Sequence, residues 1–181
     1  NSLNPAEKNG KKAAVIGGGP AGMACAYYLA KAGTEVTLYE KTDSLGGVVC
    51  HVIPEFRIPA ASVEKDASFL RKLGVDIQLN VEIENAQALR KQGYDAVILA
   101  VGASKPGELS LEKGGVINAL EFLKEFKEKD GDVMIGKNVA VIGGGNTAMD
   151  TARAAKRTKG VEHVYLVYRR TKRYMPADEE E

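Results

Sequence analysis

Two stretches of this chain place glycines where a backbone must come close to phosphate. In the first, Ala13-Ala14-Val15-Ile16 runs into Gly17-Gly18-Gly19-Pro20-Ala21-Gly22. In the second, Val139-Ala140-Val141-Ile142 runs into Gly143-Gly144-Gly145-Asn146-Thr147-Ala148. In such a turn the first glycine permits a tight bend and the second lets the backbone approach a pyrophosphate. The third, or an alanine in its place, allows a helix to pack closely on a strand. The helix N-terminus that follows offers N–H groups and a partial positive charge to the phosphates. A lone glycine-rich turn says little. Here both copies follow an apolar strand, open an apolar helix and precede another strand, the context this chemistry requires.

The charges that come next differ. The apolar run 36–39 closes on Glu40, whereas the run 164–168 closes on Arg169 and Arg170. A carboxylate accepts hydrogen bonds from ribose hydroxyls, and a guanidinium pair suits the extra 2′-phosphate of NADP. Two different dinucleotides are implied, and holding two points to hydride transfer between them. Glu40-Lys41 is followed by Leu45-Gly46-Gly47, where two glycines would let the chain pass close to the flat body of a flavin. Spacing alone leaves an ordinary surface turn equally open there, and it leaves Arg169 and Arg170 open to a plainer reading as solvated charges at a strand end. Hydride transfer needs no side-chain acid or base, because the cofactors carry the chemistry. No catalytic residue is therefore expected, and His51 and His163 read as structural or surface residues.

The elements that must position these turns can be read from periodicity. Met23, Ala26, Tyr27 and Ala30 recur at helical spacing and Gly33 stops that helix, giving a β-α-β unit with the strand 36–39. Residues 41–59 contain Gly46, Gly47, Pro54 and Pro59 and read as an irregular loop. A helix is expected over 60–73, with Val63, Ala67, Leu70 and Leu73 on one side and Gly74 as its stop. Val75, Ile77 and Leu79 alternate as in a strand, a short helix follows near 85–91, and 96–101 reads as a strand buried on both faces. The pattern breaks at 104–107, where a crossing between domains is expected. A helix carrying Leu120, Phe122, Leu123 and Phe126 leads to the second β-α-β unit at 137–170. The fold class is α/β, with two Rossmann-like dinucleotide-binding domains, both expected to be incomplete: a linker or frayed, tag-derived arm over 1–11, a first domain over 12–107 and a second over 108–181.

Composition narrows the function classes. The chain has 181 residues, is 44% hydrophobic and carries a formal net charge of +1, so no basic or acidic surplus points to nucleic acid or to an anionic membrane surface. Only Cys25 and Cys50 occur; without a CxxC or a Cys/His metal spacing, neither a disulfide framework, dithiol chemistry nor a metal site is expected. Cys25 reads as a small buried helix residue. The uncharged run 13–30 has Gly-Gly-Gly-Pro at its centre and is no membrane span. With no signal peptide evident, a cytoplasmic location is the default expectation. The chain does not begin with methionine, which suggests an excised or tagged fragment.

With these residues in hand, a family resemblance is visible. The stretch 15–22, Glu40-Lys41, Leu45-Gly46-Gly47, Ile53-Pro54-Glu55-Phe56-Arg57-Ile58-Pro59, Ala100-Val101-Gly102, the stretch 143–150 and Tyr168-Arg169-Arg170 with Met175-Pro176 resemble NADPH-linked flavoproteins of the glutamate synthase small subunit type. Relatives include the flavin portion of dihydropyrimidine dehydrogenase and the selenate reductase iron-sulfur flavoprotein subunit, the last resembled most through 51–59 and 167–170.

The resemblance implies that Gly17, Gly19, Pro20, Ala21 and Gly22 hold the FAD pyrophosphate and Glu40 the adenosine ribose. It implies Lys41, Gly46, Gly47 and Arg57 on the flavin side, Val81 at the adenine through its backbone, and Gly102 among the cofactor-binding residues. Gly143, Gly145, Asn146, Thr147 and Ala148 would meet the NADPH pyrophosphate, and Arg169 and Arg170 the 2′-phosphate. Electrons would pass on to iron-sulfur centres of a partner domain or subunit. In that family the NADPH domain is inserted in the FAD domain, so this chain would correspond to an N-terminal fragment without the closing segment and the cysteine-rich iron-sulfur region. Unpaired sheet edges would then invite self-association. A non-catalytic nucleotide-binding or assembly module is the reading from another class.

Overall fold

The computed structural model describes residues 5–103 and 115–180; the crossing expected at 104–107 lies outside the described residues. The chain divides into two compact units, one formed by 1–50 with 59–104 and the other by 51–58 with 105–181.

In the first unit, parallel strands β1 (Lys12–Ile16), β2 (Glu35–Tyr39), β3 (Asp76–Gln78) and β4 (Ala96–Leu99) lie in the order β3-β2-β1-β4. β1 is apolar beyond its first residue because both its faces are covered. Val15 belongs to a core shared with Met23, Ala26 and Ala30 of helix α1 (Pro20–Lys31), Ala67 and Leu70 of helix α3 (Ala60–Lys72), and Val36 and Leu38 of β2. Ala14 and Ile16 face the other way, against Leu89 of α4 (Ala86–Arg90), with Tyr39, Tyr94 and Val97 around them. The helix expected over 60–73 buries the side the spacing indicated. A four-residue helix, α2 (Val48–His51), interrupts the loop that read as irregular.

The second unit holds parallel strands β5 (Asn138–Ile142) and β6 (His163–Val167), helices α5 (Ala119–Glu128) and α6 (Asn146–Arg157), and a single 3-10 turn at Lys172–Tyr174. α5 is started by Asn118, whose side chain accepts from the Leu120 N–H at 2.9 Å, a cap that satisfies an otherwise unpaired donor. Phe122 and Leu123 pack with Val133, Ala154 and Ala155, and Val52 lies against this core. Lys127 Nζ donates to the Ile53 carbonyl at 2.8 Å. These contacts account for the grouping of 51–58 with the second unit, a grouping that periodicity did not reveal.

Two expectations need correction. Residues 96–101 are not a strand buried on both faces: β4 spans Ala96–Leu99, and Leu99 and Val101 are each 66% exposed. β4 is the last strand in the described sheet order, so β1 is its only described neighbour. Nor are residues 6–9 a loose arm. Ala6 N–H donates to Lys31 O at 2.9 Å and Asn9 N–H to Gly33 O at 3.1 Å, while the Asn9 amide donates to Thr34 Oγ1 at 3.0 Å. Among the described residues no helix is long and apolar enough to cross a membrane.

Candidate functional site

In the first unit the glycine-rich turn joins the C-terminal end of β1 to α1. Gly17 has φ +107, and a side chain there would overlap the Ala100 carbonyl. A Cβ on Gly22 would overlap the carbonyl of Gly17, so helix and strand approach more closely than alanine permits. Gly18 is closed off by its neighbours: a Cβ would lie 2.5 Å from Leu45 Cδ2 and 3.0 Å from Glu40 Oε2. Glu40, only 7% exposed, accepts from the Gly18 N–H at 2.6 Å through one oxygen. Its other oxygen accepts from Thr42 N–H at 2.8 Å and Thr42 Oγ1 at 2.9 Å.

The loop 45–47 docks on the same turn. Gly46 N–H donates to Gly18 O at 2.8 Å, and a Cβ on Gly47 would lie 3.0 Å from Gly19 Cα. Val81 N–H donates to Glu40 O at 2.9 Å. The structure therefore brings Gly17, Gly19, Pro20, Ala21, Gly22, Glu40, Gly46, Gly47 and Val81 together. Lys41 follows Glu40 and is exposed, and Gly102 is an exposed residue with φ +69 beyond β4.

The second turn repeats the geometry with different neighbours. Gly143 has φ +151, and a Cβ there would meet Ala148 Cβ at 3.1 Å. A Cβ on Gly144 would meet the Tyr168 ring at 2.6 Å. Asn146 at the start of α6 is held by Asp178: its amide nitrogen donates to Asp178 Oδ2 at 2.7 Å and its amide oxygen accepts from Asp178 N–H at 2.9 Å. Thr147 is exposed, Ala148 is buried, and Arg169 and Arg170 are exposed just beyond β6.

Arg57 lies in the second unit. Its Nε sits 2.9 Å from Oδ1 of Asp150, an ion pair whose carboxylate side chain is 8% exposed. That oxygen accepts no aligned hydrogen bond. Neither this pairing nor the packing of Tyr168 on Gly144 was found by sequence reasoning. An acid on the helix that opens a glycine turn, and an arginine in a short proline-bounded segment, were the available signals, but nothing in spacing joined them.

Gly19 and Gly145 test whether a pyrophosphate fits. They are the N-caps of α1 and α6, and no side chain caps either helix from that position. A Cβ on Gly19 would find only Gly47 Cα at 4.0 Å, and one on Gly145 only Pro176 Cγ at 3.9 Å, both ordinary contact distances among the described residues. The protein's own packing demands glycine at 17, 18, 22 and 144, but not at these two positions. A Cβ there would fill space in front of an uncapped helix N-terminus, which is where a phosphate is favoured.

Parallel strands, each glycine turn at a strand's C-terminal end, and helices packed on the sheet define an α/β fold of the FAD/NAD(P)-binding, Rossmann-like class. Residues 11–181 match the pyridine nucleotide-disulphide oxidoreductase family, to which the chain belongs. It is 44% identical over 171 residues to YgfK of Escherichia coli strain K12, an alignment that covers 93% of this chain and 16% of that protein. It is 41% identical over 186 residues to the NADPH-Fe(3+) oxidoreductase subunit beta of Geobacter sulfurreducens, covering 97% of this chain and 27% of the relative. In fold it resembles Mycobacterium tuberculosis FprA, solved in complex with NADPH. That match has a TM-score of 0.73 at 22% identity and covers 96% of this chain and 46% of FprA. The chain thus spans a minor part of each of these proteins.

Proposed function

We propose that this chain is the dinucleotide-binding part of an NADPH-dependent flavoprotein, with FAD in the first unit and NADPH in the second. When bound, the nicotinamide supplies a hydride and the flavin accepts it, releasing electrons for iron-sulfur centres of a partner domain or subunit. The chain's own task is to bind and orient. Backbone N–H groups at the start of α1 and α6 would hold the two pyrophosphates, with Gly19 and Gly145 leaving room for them. The Glu40 carboxylate, fixed by Gly18 and Thr42, would accept from ribose hydroxyls. Gly46 and Gly47 would border the flavin, with Val81 at the adenine. Arg169 and Arg170 would hold the 2′-phosphate. A selenate-reductase-like subunit is favoured over a glutamate synthase small subunit through the stretch 51–59. The relative named as an NADPH-Fe(3+) oxidoreductase subunit supports transfer to a partner.

The observation that carries this reading is that no neighbour among the described residues requires glycine at Gly19 or Gly145. Calorimetric titration of FAD and NADPH into the protein and its G19V and G145V variants tests it. The expected result is loss of FAD binding in the first variant and of NADPH binding in the second, with far-UV circular dichroism unchanged. Undiminished binding in folded variants would sink the assignment.

A further inference from the structure

Beyond Arg170 the chain continues Thr171-Lys172-Arg173-Tyr174. The 3-10 turn within it is tied down at several points. Tyr174 N–H donates to Thr171 O at 3.0 Å and Met175 N–H to Lys172 O at 3.0 Å. The Tyr168 hydroxyl donates to Tyr174 O at 2.7 Å, and the Tyr168 ring is itself packed on Gly144. The Tyr174 residue is nevertheless 61% exposed, and with Arg170 and Thr171 it lines an open hollow of ≈ 410 Å³.

The backbone is held while the aromatic side chain is left in solvent, forgoing the stabilisation its burial would give. Arg169, Arg170, Lys172 and Arg173 are all exposed, and Arg170 shares the lining of the hollow. A flat apolar surface beside guanidinium groups fits a ligand that has both an aromatic face and a phosphate. Adenosine carrying a 2′-phosphate is such a ligand: its purine stacks on a tyrosine ring and its phosphate pairs with arginine.

Resting on the NADPH reading of the second unit, we propose that Tyr174 is the stacking platform for the adenine ring. Thr171 forms the adjoining wall of the adenosine pocket, the Arg170 guanidinium at its rim serves the 2′-phosphate alone, and Lys172 and Arg173 add positive potential that draws the phosphate in. The platform recognises the base whether or not a 2′-phosphate is present, so its contribution separates from that of the arginines.

The test is calorimetric titration of 2′,5′-ADP and of 5′-AMP into the protein and its Y174A, Y174F and R170A variants. Y174A is expected to weaken both ligands by a similar factor, on the order of tenfold. Y174F should restore both affinities, and R170A should weaken 2′,5′-ADP alone. If Y174A leaves both affinities unchanged while R170A still weakens 2′,5′-ADP, the platform is overturned and the NADPH reading stands. If the unaltered protein binds neither ligand, the platform and the NADPH reading fall together.

Discussion

The two glycine turns superpose in logic but not in their neighbours. Gly17 N–H donates to Tyr39 O at 2.8 Å and Gly143 N–H to Val167 O at 2.9 Å, so Glu40 and Tyr168 occupy equivalent positions. Sequence comparison sets Glu40 against the arginines; the structural register sets Glu40 against Tyr168 and Lys41 against Arg169. In the first unit a buried carboxylate closes over Gly18 and takes its N–H. In the second an aromatic ring closes over Gly144, and the cations begin one residue further along. The same turn is braced by charge in one copy and by packing in the other.

The largest expected effect lies at the third position of each turn. Gly22→Ala would drive a Cβ into the Gly17 carbonyl, with backbone on both sides unable to give. A loss of about 3 kcal/mol or more is expected in urea unfolding. The reverse change in the second unit, Ala148→Gly, should cost only about 1 kcal/mol. Equal costs would mean that the two turns are packed alike.

A smaller contrast is expected between the braces. Glu40→Gln replaces a carboxylate that accepts from three donors by an amide with one acceptor oxygen, for an expected cost of about 2 kcal/mol. Tyr168→Phe keeps the ring on Gly144 and removes only the bond to Tyr174 O, about 1 kcal/mol. A Tyr168→Phe loss as large as that of Glu40→Gln would show that the hydroxyl rather than the ring braces the second turn.

The smallest effect concerns the residues just before the braces. Tyr39 shares a hydrogen bond of 2.9 Å with the Tyr94 hydroxyl, whereas its counterpart is Val167. Burial first, then the Tyr94 hydroxyl, push Tyr39 up to about 12. In an unfolded chain it ionises at about 10. Its contribution is therefore complete below pH ~10 and is lost as pH rises towards the folded value, because the unfolded chain gives up its proton first. Urea midpoints should fall between pH 9 and pH 11, and less steeply in Y39F. Identical slopes would remove the tyrosine pair from the account.

Much of this was legible in the sequence, and the reasons are local. β1, α1, β2 and α3 announce themselves through runs of apolar residues at fixed spacing and through stops at Gly33 and Gly74, which take φ of +84 and +79. The glycine turns were legible because their residue types answer to backbone geometry. The environment of Asp150 was not, because its ion pair joins residues far apart in the chain. The exposure of β4 escaped for a related reason: Ala96–Leu99 has the composition of an interior strand, and strand order is not written in composition.

The chain passes from the first unit to the second at residue 51, returns at 59 and leaves again at 105. During synthesis, 51–58 emerge from the ribosome well before α5 and α6, the helices that receive them. At about 5–20 residues per second, the roughly 60 to 100 residues in between represent several seconds of waiting. For that interval Val52 and Arg57 have no completed core or carboxylate to meet, while the ribosome adds residues 59–104 of the first unit. Expressing 105–181 alone would deprive the second unit of Val52 and Arg57 altogether, so no single cut in the gene yields both units whole.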